Sequence, residues 1–314
     1  MKKNKLIIGS RGSELALWQA RFVKRELERK NKYLSVEIRI INTKGDKILD
    51  VALSKIGDKG LFTKELENEL LNGSIDIAVH SLKDLQTEIP EGLFLAAVTK
   101  RHPVEDVLIA RKKGTTINNL KDNAVIATGS LRRRSQILHL RPDVKIEELR
   151  GNVPTRIKKF LESDWDAIVL ARAGVERLKL NKYISSIIDK DRLLPAVGQG
   201  ALGIEIRKDN LLAAKMLKKI HHEKTFLAVR AERALLKALE GGCQVPIGAY
   251  AQVKSERLIL EAVVGSVDGS ITFRKKIEGG IRYPERTGIK LAGQLLNAGA
   301  SEILKEIYDR ERTR

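Results

Sequence analysis

Hydrophobic positions along the first two thirds of the chain follow two patterns that alternate with each other. Short apolar runs predict β-strands, and apolar positions three and four residues apart predict amphipathic helices, as in the stripe that contains Leu15, Trp18 and Phe22. The predicted strands are residues 6–8, 36–41, 75–79, 93–98, 124–127, 144–149 and 167–170, and further predicted helices are residues 62–71, 131–140 and 153–161. This alternation is typical of α/β domains built on a mostly parallel sheet.

Two changes along the chain predict domain limits. The segment Arg101-His102-Pro103 separates two sets of strands and helices, so we expect two α/β domains. After residue 225 the pattern changes to one long helix followed by grouped strands. These are a helix over 225–239 and strands over 247–253, 258–264 and 271–275. Strands that are grouped rather than alternated with helices predict a small α+β third domain.

The composition excludes several classes of protein. A chain of 314 residues is long enough for two or three domains, and its single cysteine excludes a scaffold held by internal disulfides. No apolar run approaches the ~20 residues that span a bilayer. The apolar stretch near the N-terminus, residues 6–8, is too short for a signal peptide. We therefore expect a soluble cytoplasmic protein.

The charge balance points to an anionic ligand or to a lysine-rich surface. The chain has 59 basic and 40 acidic residues, a formal net charge of +19. Such an excess suits nucleic acid, an anionic membrane or a polyanionic small molecule, but solvated lysines also account for it. Aromatic residues make up only 4%, which leaves few stacking platforms for nucleic acid. No nucleic-acid-binding motif occurs either.

Polar residues follow the predicted strands of the first set at the positions where α/β sheets bind ligands. Arg11 and Ser13 follow the first strand, and they either hold an anion or serve as a surface arginine and a helix N-cap. Lys83 and Asp84 follow the strand at 75–79. They suit acid–base chemistry, but they also suit a plain helix start with a solvated lysine.

Arginines follow the strands of the second set. Ser130, Arg132 and Arg133 open a predicted helix, where positive side chains oppose the helix dipole, so an anionic ligand explains them better than helix stability does. The strand ends that follow contribute Arg150, Arg156 and Arg177. Guanidinium groups bind carboxylates and phosphates through paired hydrogen bonds, so these arginines predict a ligand with several acidic groups. The chain has no phosphate-binding glycine motif and no metal-ligand spacing, which argues against nucleotide and metal cofactors.

The single cysteine, Cys243, lies in the segment Gly241-Gly242-Cys243-Gln244. A lone cysteine is commonly a small buried hydrophobic residue. Two glycines before it and Pro246 after it describe a shaped loop, in which a thiol can be presented instead of packed. Both interpretations stay open from the residues alone.

Taken together, these segments resemble the porphobilinogen deaminase family, also called hydroxymethylbilane synthases. The matching stretches run in family order over almost the whole chain and thin out after about residue 255. They are residues 9–20, 59–65, 79–84, 130–133, 149–156, 170–178, 194–200 and 240–248. Two departures occur: His102-Pro103-Val104-Glu105-Asp106 replaces the usual Asp-Pro-Arg-Asp turn, and Gly129 stands where the family commonly has serine.

The resemblance implies two α/β domains like the lobes of periplasmic binding proteins, plus a small α+β C-terminal domain that carries the cofactor cysteine. Domain 1 would comprise residues 1–99 with 200–220, domain 2 residues 104–195, and domain 3 residues 222–314. The chain would cross between the first two domains near residues 100–104 and 194–200. Gln199, between two glycines, would be part of a hinge.

The resemblance also implies a transferase of haem and other tetrapyrrole biosynthesis. Such an enzyme joins four porphobilinogen molecules, with release of ammonia, into the linear tetrapyrrole hydroxymethylbilane (preuroporphyrinogen). The chain grows from a dipyrromethane cofactor, held here by a thioether to Cys243. Each pyrrole carries an acetate and a propionate, so the ligand is a polycarboxylate. Loss of ammonia leaves an electron-poor cation, which a carboxylate stabilises.

The family motifs imply a role for each matching residue. Asp84 would be catalytic, and the cofactor would be held by Lys83, Ser130, Arg132 and Arg133. Substrate and growing chain would be held by Arg11, Ser13, Arg150, Arg156 and Arg177. A mobile loop would include Lys55, Lys59 and Phe62.

Further expectations concern partners and rival functions. We expect a monomer that binds no metal, nucleic acid or membrane, and that hands its product to uroporphyrinogen III synthase. The alternative is a non-enzymatic two-lobed binding protein for a polyanionic small molecule. That alternative explains the arginines but gives Cys243 no role.

Overall fold

The structure is a computed structural model that describes residues 4–43, 60, 63–240 and 245–312, with side chains as far as residue 309. Lys55, Lys59, Phe62 and Cys243 therefore lie outside the described residues. The strands are β1 (Asn4–Ser10), β2 (Leu34–Ile40), β3 (Ile77–Ser81), β4 (Leu93–Val98), β5 (Asp106–Ala110), β6 (Val125–Ala127), β7 (Lys145–Glu147), β8 (Ala167–Ala171), β9 (Ser186–Ile188), β10 (Leu202–Arg207), β11 (Ile247–Lys254), β12 (Arg257–Gly265) and β13 (Thr272–Gly280). The helices are α1 (Glu14–Lys30), α2 (Lys64–Leu71), α3 (Leu131–Leu140), α4 (Val153–Glu162), α5 (Arg172–Arg177), α6 (Leu211–Leu217), α7 (Glu223–Ala238), α8 (Pro284–Leu295) and α9 (Ser301–Arg312).

The described chain divides into two compact units. It leaves the first unit between His102 and Pro103, returns between Gln199 and Gly200, and enters the second unit again after Phe226. Gly198 and Gly200 both have positive φ, 72° and 86°, which is the left-handed region that glycine adopts without strain. The division into three domains stays a prediction.

The first unit contains a five-stranded sheet in the order β2-β1-β3-β10-β4. β1 runs parallel to β2 and β3, whereas β10 is antiparallel to both β3 and β4. Its core joins Leu6 and Ile8 of β1 to Val23 and Leu27 of α1, all fully buried. β10 was not among the predicted strands, and it is far in sequence from β3 and β4, between which it inserts.

The second unit contains a five-stranded sheet in the order β7-β6-β8-β5-β9. β6 runs parallel to β7 and β8, and β5 is antiparallel to β8 and β9. Each of the two sheets thus has an antiparallel strand beside its parallel ones, in agreement with the prediction of a mostly parallel sheet. β5 was not among the predicted strands, although its residues Val107, Leu108 and Ile109 are at most 1% exposed.

The C-terminal part of the second unit is a three-stranded antiparallel sheet, β11-β12-β13, packed on helices. Its core contains Leu235 of α7, Leu258 and Leu260 of β12, and Leu291 of α8. A kink at Gly299, where φ is 114°, separates α8 from α9. The predicted fold class, α/β with a small α+β domain at the C-terminal end, is confirmed.

Candidate functional site

In the first unit, the carboxyl ends of β1 and β3 lie at one edge of the sheet, because the two strands are parallel neighbours. Arg11 follows β1 and is half-buried. The Ser13 hydroxyl caps α1, accepting a hydrogen bond from the Ala16 amide at 3.3 Å. Gln19 of α1 donates from Nε2 to the Ser81 hydroxyl at the end of β3, at 2.6 Å. The parallel pairing therefore places the Arg11 segment and the turn with Lys83 and Asp84 at the same end of the sheet.

Asp84 lies in a single 3₁₀ turn that spans Leu82–Asp84. The Leu85 amide donates to the Leu82 carbonyl at 3.3 Å and closes the turn. The side chains of Leu82 and Leu85 are 1% and 5% exposed, so they anchor the turn in the core. Lys83 is half-buried and Asp84 is exposed. The turn thus presents a carboxylate to solvent from a fixed backbone, at the sheet edge that also carries Arg11.

A buried polar cluster lies between β3, the strand that leads into this turn, and its neighbour β10, and the sequence patterns did not reveal it. His80 Nε2 lies 3.1 Å from Glu205 Oε2, and the two side chains are 4% and 0% exposed. Glu205 Oε1 is buried without a hydrogen-bond partner among the described residues. Burial raises the pKa of the nearby Glu67, and the negative charge of Glu205 raises it further.

In the second unit, three parallel strands bring their carboxyl ends to one edge. β7, β6 and β8 are neighbours in that order, so the residues that follow them converge there. These are the segments with the predicted Ser130, Arg132 and Arg133, the predicted Arg150 and Arg156, and the predicted Arg177. Ser130, Arg132 and Arg133 follow β6, Arg150 and Arg156 follow β7, and Arg177 ends α5, the helix that follows β8.

Ser130 precedes α3 and is half-buried; its side chain makes no capping hydrogen bond. Gly129, before it, lies against the chain that leaves β7. A Cβ atom there would stand 2.6 Å from the Leu149 carbonyl oxygen. A serine, which the resemblance leads one to expect here, would not fit at this position without a shift of the backbone near Leu149.

Arg132 and Arg133 are each 4% exposed and share one acid, Asp106 at the start of β5. Arg132 Nη2 lies 2.8 Å from Asp106 Oδ2, and Arg133 Nη2 lies 2.8 Å from Asp106 Oδ1. Each arginine also donates from Nη1 to a backbone carbonyl, Arg132 to Leu194 at 2.7 Å and Arg133 to Val169 at 3.0 Å. Burial alone raises the pKa of Asp106, but the two guanidinium groups hold it well below its usual range.

Gln199, the predicted hinge residue, belongs to the same network. It is 1% exposed, and its Nε2 donates to Asp106 Oδ1 at 3.0 Å and to the Val104 carbonyl at 2.7 Å. Asp106 was missed as a partner of the arginines. The sequence signal was an acidic residue at the start of a buried apolar run, where burying an unpaired charge is costly.

The arginines predicted to hold substrate have different surroundings. Arg150 is half-buried, with its Nε 3.3 Å from Glu148 Oε1. Arg156 donates from Nε to the Gly151 carbonyl at 2.7 Å. Arg177 is 7% exposed, and burial lowers its pKa to about 10, so its guanidinium remains charged at neutral pH.

The donors of α3 fit a ligand with several carboxylates, such as the dipyrromethane that the resemblance implies. Arg132 and Arg133 bring two positive charges to the single carboxylate of Asp106, so the three side chains together carry a net charge of +1. The Nε atoms of Arg132, Arg133 and Arg134 are buried without a hydrogen-bond partner among the described residues. Unpaired buried donors beside excess positive charge suit an anionic ligand.

Two other kinds of feature, a metal site and a membrane-spanning helix, are absent from the residues that the structure describes. Nowhere in that part of the chain do three or more His, Cys, Asp or Glu side chains gather in a way that could hold a metal ion. None of its helices is both long and apolar enough to cross a membrane.

Comparison with known proteins gives consistent matches over the whole chain. Residues 6–215 match the family model "Porphobilinogen deaminase, dipyromethane cofactor binding domain", and residues 226–297 match "Porphobilinogen deaminase, C-terminal domain". The porphobilinogen deaminase of Carboxydothermus hydrogenoformans is 52% identical over 305 residues, 97% of this chain and 98% of that protein. That of Geobacter sulfurreducens is 48% identical over 314 residues, 100% of this chain and 98% of that protein. Among solved structures, the methionine binding protein MetQ aligns with a TM-score of 0.44 at 15% identity, over 73% of this chain and 93% of that one.

Proposed function

Because the chain belongs to the porphobilinogen deaminase family, we propose that the residues gathered at its two sheet edges divide the family's reaction between them. The protein is a transferase of tetrapyrrole biosynthesis that joins four porphobilinogen molecules into linear hydroxymethylbilane with release of ammonia. It uses a dipyrromethane cofactor, which supplies the pyrrole from which the chain grows. The alternative of a non-enzymatic binding protein is not favoured.

Asp84 is proposed as the catalytic carboxylate. Its exposed side chain stands on a turn fixed by buried Leu82 and Leu85, with the half-buried Lys83 beside it. Loss of ammonia from porphobilinogen leaves a positive charge delocalised over the pyrrole, and a carboxylate held at the pyrrole N–H stabilises that charge. A fixed backbone keeps the carboxylate in position without reorganisation during the reaction. This presentation of Asp84 is the observation that carries the catalytic part of the proposal.

The basic residues are proposed to divide into two groups. Lys83, Ser130, Arg132 and Arg133 hold the cofactor carboxylates, and Cys243 forms the thioether. Arg11, Ser13, Arg150, Arg156 and Arg177 hold substrate and the growing chain. The convergence of three parallel strand ends supports this assignment for the arginines of the second unit. The Ser13 hydroxyl accepts a hydrogen bond from the Ala16 amide, and its O–H can donate a hydrogen bond to a substrate carboxylate.

The domain division and the cellular setting are part of the same proposal. Three domains would span residues 1–99 with 200–220, 104–195 and 222–314, with Gln199 in a hinge. The positive φ angles of Gly198 and Gly200 support the hinge. The enzyme would act as a cytoplasmic monomer and hand its product to uroporphyrinogen III synthase.

The catalytic proposal is tested by exchanging one carboxylate for its amide. Asp84→Asn keeps the shape of the side chain and removes its charge, so turnover of porphobilinogen should fall at least about a hundredfold, equivalent to ~2.7 kcal/mol. Asp84→Glu should retain a little activity, because its carboxylate is displaced by one methylene. Asp209→Asn is the matched control, since Asp209 is a solvent-exposed carboxylate of the same unit, paired with Arg207 at 2.6 Å. Wild-type turnover in Asp84→Asn would remove Asp84 from the chemistry.

A further inference from the structure

Asp106 is a buried acid to which none of the family motifs discussed above gives a role. It begins β5, is 0% exposed, and accepts hydrogen bonds from Arg132, Arg133 and Gln199 at 2.8, 2.8 and 3.0 Å. Both carboxylate oxygens are therefore occupied by neighbours from α3 and from the segment that returns to the first unit.

Asp106 pairs with more positive charge than is needed to neutralise its own. A carboxylate and one guanidinium would form a neutral buried pair, whereas Asp106 stands between two guanidinium groups. Each arginine is fixed by Nη2 on Asp106 and by Nη1 on a backbone carbonyl, while its Nε remains without an acceptor among the described residues. Both arginine side chains are thus held in one orientation, and the Nε–H of each is left to donate to a ligand.

The same acid connects the arginines to both places where the chain passes between the units. Asp106 lies three residues after Pro103, where the second unit begins, and Gln199 is the last residue before the return. The Gln199 side chain bonds both Asp106 and the Val104 carbonyl, so the two passages are tied together at the arginine pair.

We propose that Asp106 is a positioning residue for cofactor binding. It holds Arg132 and Arg133 in the orientation that receives the dipyrromethane carboxylates. Through Gln199 it also connects this pair to both segments where the chain passes between the units. The proposal rests on the proposed function, in which these two arginines hold the cofactor. Removal of a side chain that orients a metal ligand commonly costs about 10-fold to 100-fold in affinity, and we take the same range for a side chain that orients these guanidinium groups. Without Asp106, each guanidinium has to be ordered during cofactor binding, and their mutual repulsion opposes that ordering.

The test measures how much of the purified protein carries the cofactor. Intact mass gives the fraction of molecules with the two-pyrrole increment, and a thermal unfolding scan gives the stability of the same sample. Asp106→Asn should lower the ratio of cofactor-carrying to cofactor-free protein by at least about tenfold relative to wild type.

Glu232→Gln is the matched control. Glu232 is also a 0% exposed acid next to the returning passage, accepting from the Gly198 amide and the Ala251 amide at 2.8 Å each. Its exchange should lower the unfolding temperature and leave the cofactor-carrying fraction at the wild-type value. Equal loss of cofactor in both variants would mean that general destabilisation explains the effect, and would overturn the proposal.

A second variant keeps the test decisive if Asp106→Asn fails to fold. Asp106→Glu retains the charge with its oxygens displaced by one methylene, so it should fold and carry the cofactor in a reduced fraction. A full cofactor load in Asp106→Glu or in Asp106→Asn would overturn the positioning role.

Two further samples separate this proposal from the proposed function. A wild-type protein without the two-pyrrole increment would overturn both. If instead Arg132→Gln and Arg133→Gln kept the cofactor, the arginine assignment would fail and Asp106 would lose the groups through which it acts.

Discussion

His80 Nε2 and Glu205 Oε2 lie 3.1 Å apart in the interior of the first unit, between two strands that are more than a hundred residues apart in sequence. His80 is in β3, immediately before the turn with Asp84, and Glu205 is in β10, which the chain reaches only after leaving the second unit. The pair therefore fixes the returning strand to the strand that presents the proposed catalytic carboxylate.

The neighbouring Glu67 gives this buried cluster a measurable pH dependence. Its pKa in the folded protein is raised above the ordinary value of 4.5 by burial and by the charge of Glu205. The folded state therefore binds the Glu67 proton more tightly than the unfolded state, and this contribution to stability falls as pH rises above about 4.5 through the raised pKa.

Glu67→Gln removes that titration while keeping the size of the side chain. We expect the variant to become more stable relative to wild type as pH rises from 4.5 to 7.5, as measured by the free energy of unfolding from urea titrations at both values. Glu91→Gln, an exposed carboxylate of the same unit, is the control and should show no such gain. A constant difference between Glu67→Gln and wild type across this range would contradict the raised pKa.

Gly129 is expected to tolerate no larger side chain in this chain. A Cβ atom would stand 2.6 Å from the Leu149 carbonyl oxygen, and backbone cannot move as freely as a side chain end. Gly129→Ala should therefore lower the free energy of unfolding by about 1–3 kcal/mol. Gly293→Ala, in the last turn of α8 with no atom within 4 Å of the new Cβ, should instead be neutral or stabilising by up to about 1 kcal/mol. Equal stability of Gly129→Ala and wild type would contradict this prediction, because it would mean that the backbone after β7 shifts to accommodate the new Cβ.

The covalent attachment depends on the only cysteine of the chain, Cys243, whose role stays a prediction from the sequence. Cys243→Ala and Cys243→Ser should lack the two-pyrrole mass increment, because neither side chain supplies a thiolate near neutral pH. Intact mass spectrometry of the purified variants measures this directly. A full increment in Cys243→Ala would place the attachment elsewhere.

Local patterns predicted most elements because those elements contain their own signals. The alternation in β11 and β12 and the apolar stripe of α1 are visible within a few residues. β10 and β5 were missed although their residues 202–206 and 107–109 carry local apolar runs as well; what the runs could not give is their antiparallel place in each sheet, which depends on long-range pairing. The same distinction holds for the site: a turn such as Leu82–Asp84 is local, whereas the contact of Asp106 with Arg132 and Gln199 joins three distant segments.

The division of labour among the arginines is the central claim, and the mass spectrum of single variants in the presence of porphobilinogen tests it most directly. Arg132→Gln and Arg133→Gln should yield largely cofactor-free protein, because these residues receive the cofactor carboxylates. Arg11→Gln, Arg150→Gln, Arg156→Gln and Arg177→Gln should carry the cofactor and stall, because loss of ~2.7 kcal/mol at one elongation step slows it about a hundredfold. Their spectra should therefore show enzyme with one, two or three added pyrrole units.

Arg274→Gln, which removes an exposed arginine paired with Glu261 in the C-terminal sheet, is the control and should behave as wild type. Normal cofactor content in all six variants, with equal loss of activity and no stalled species, would contradict the account.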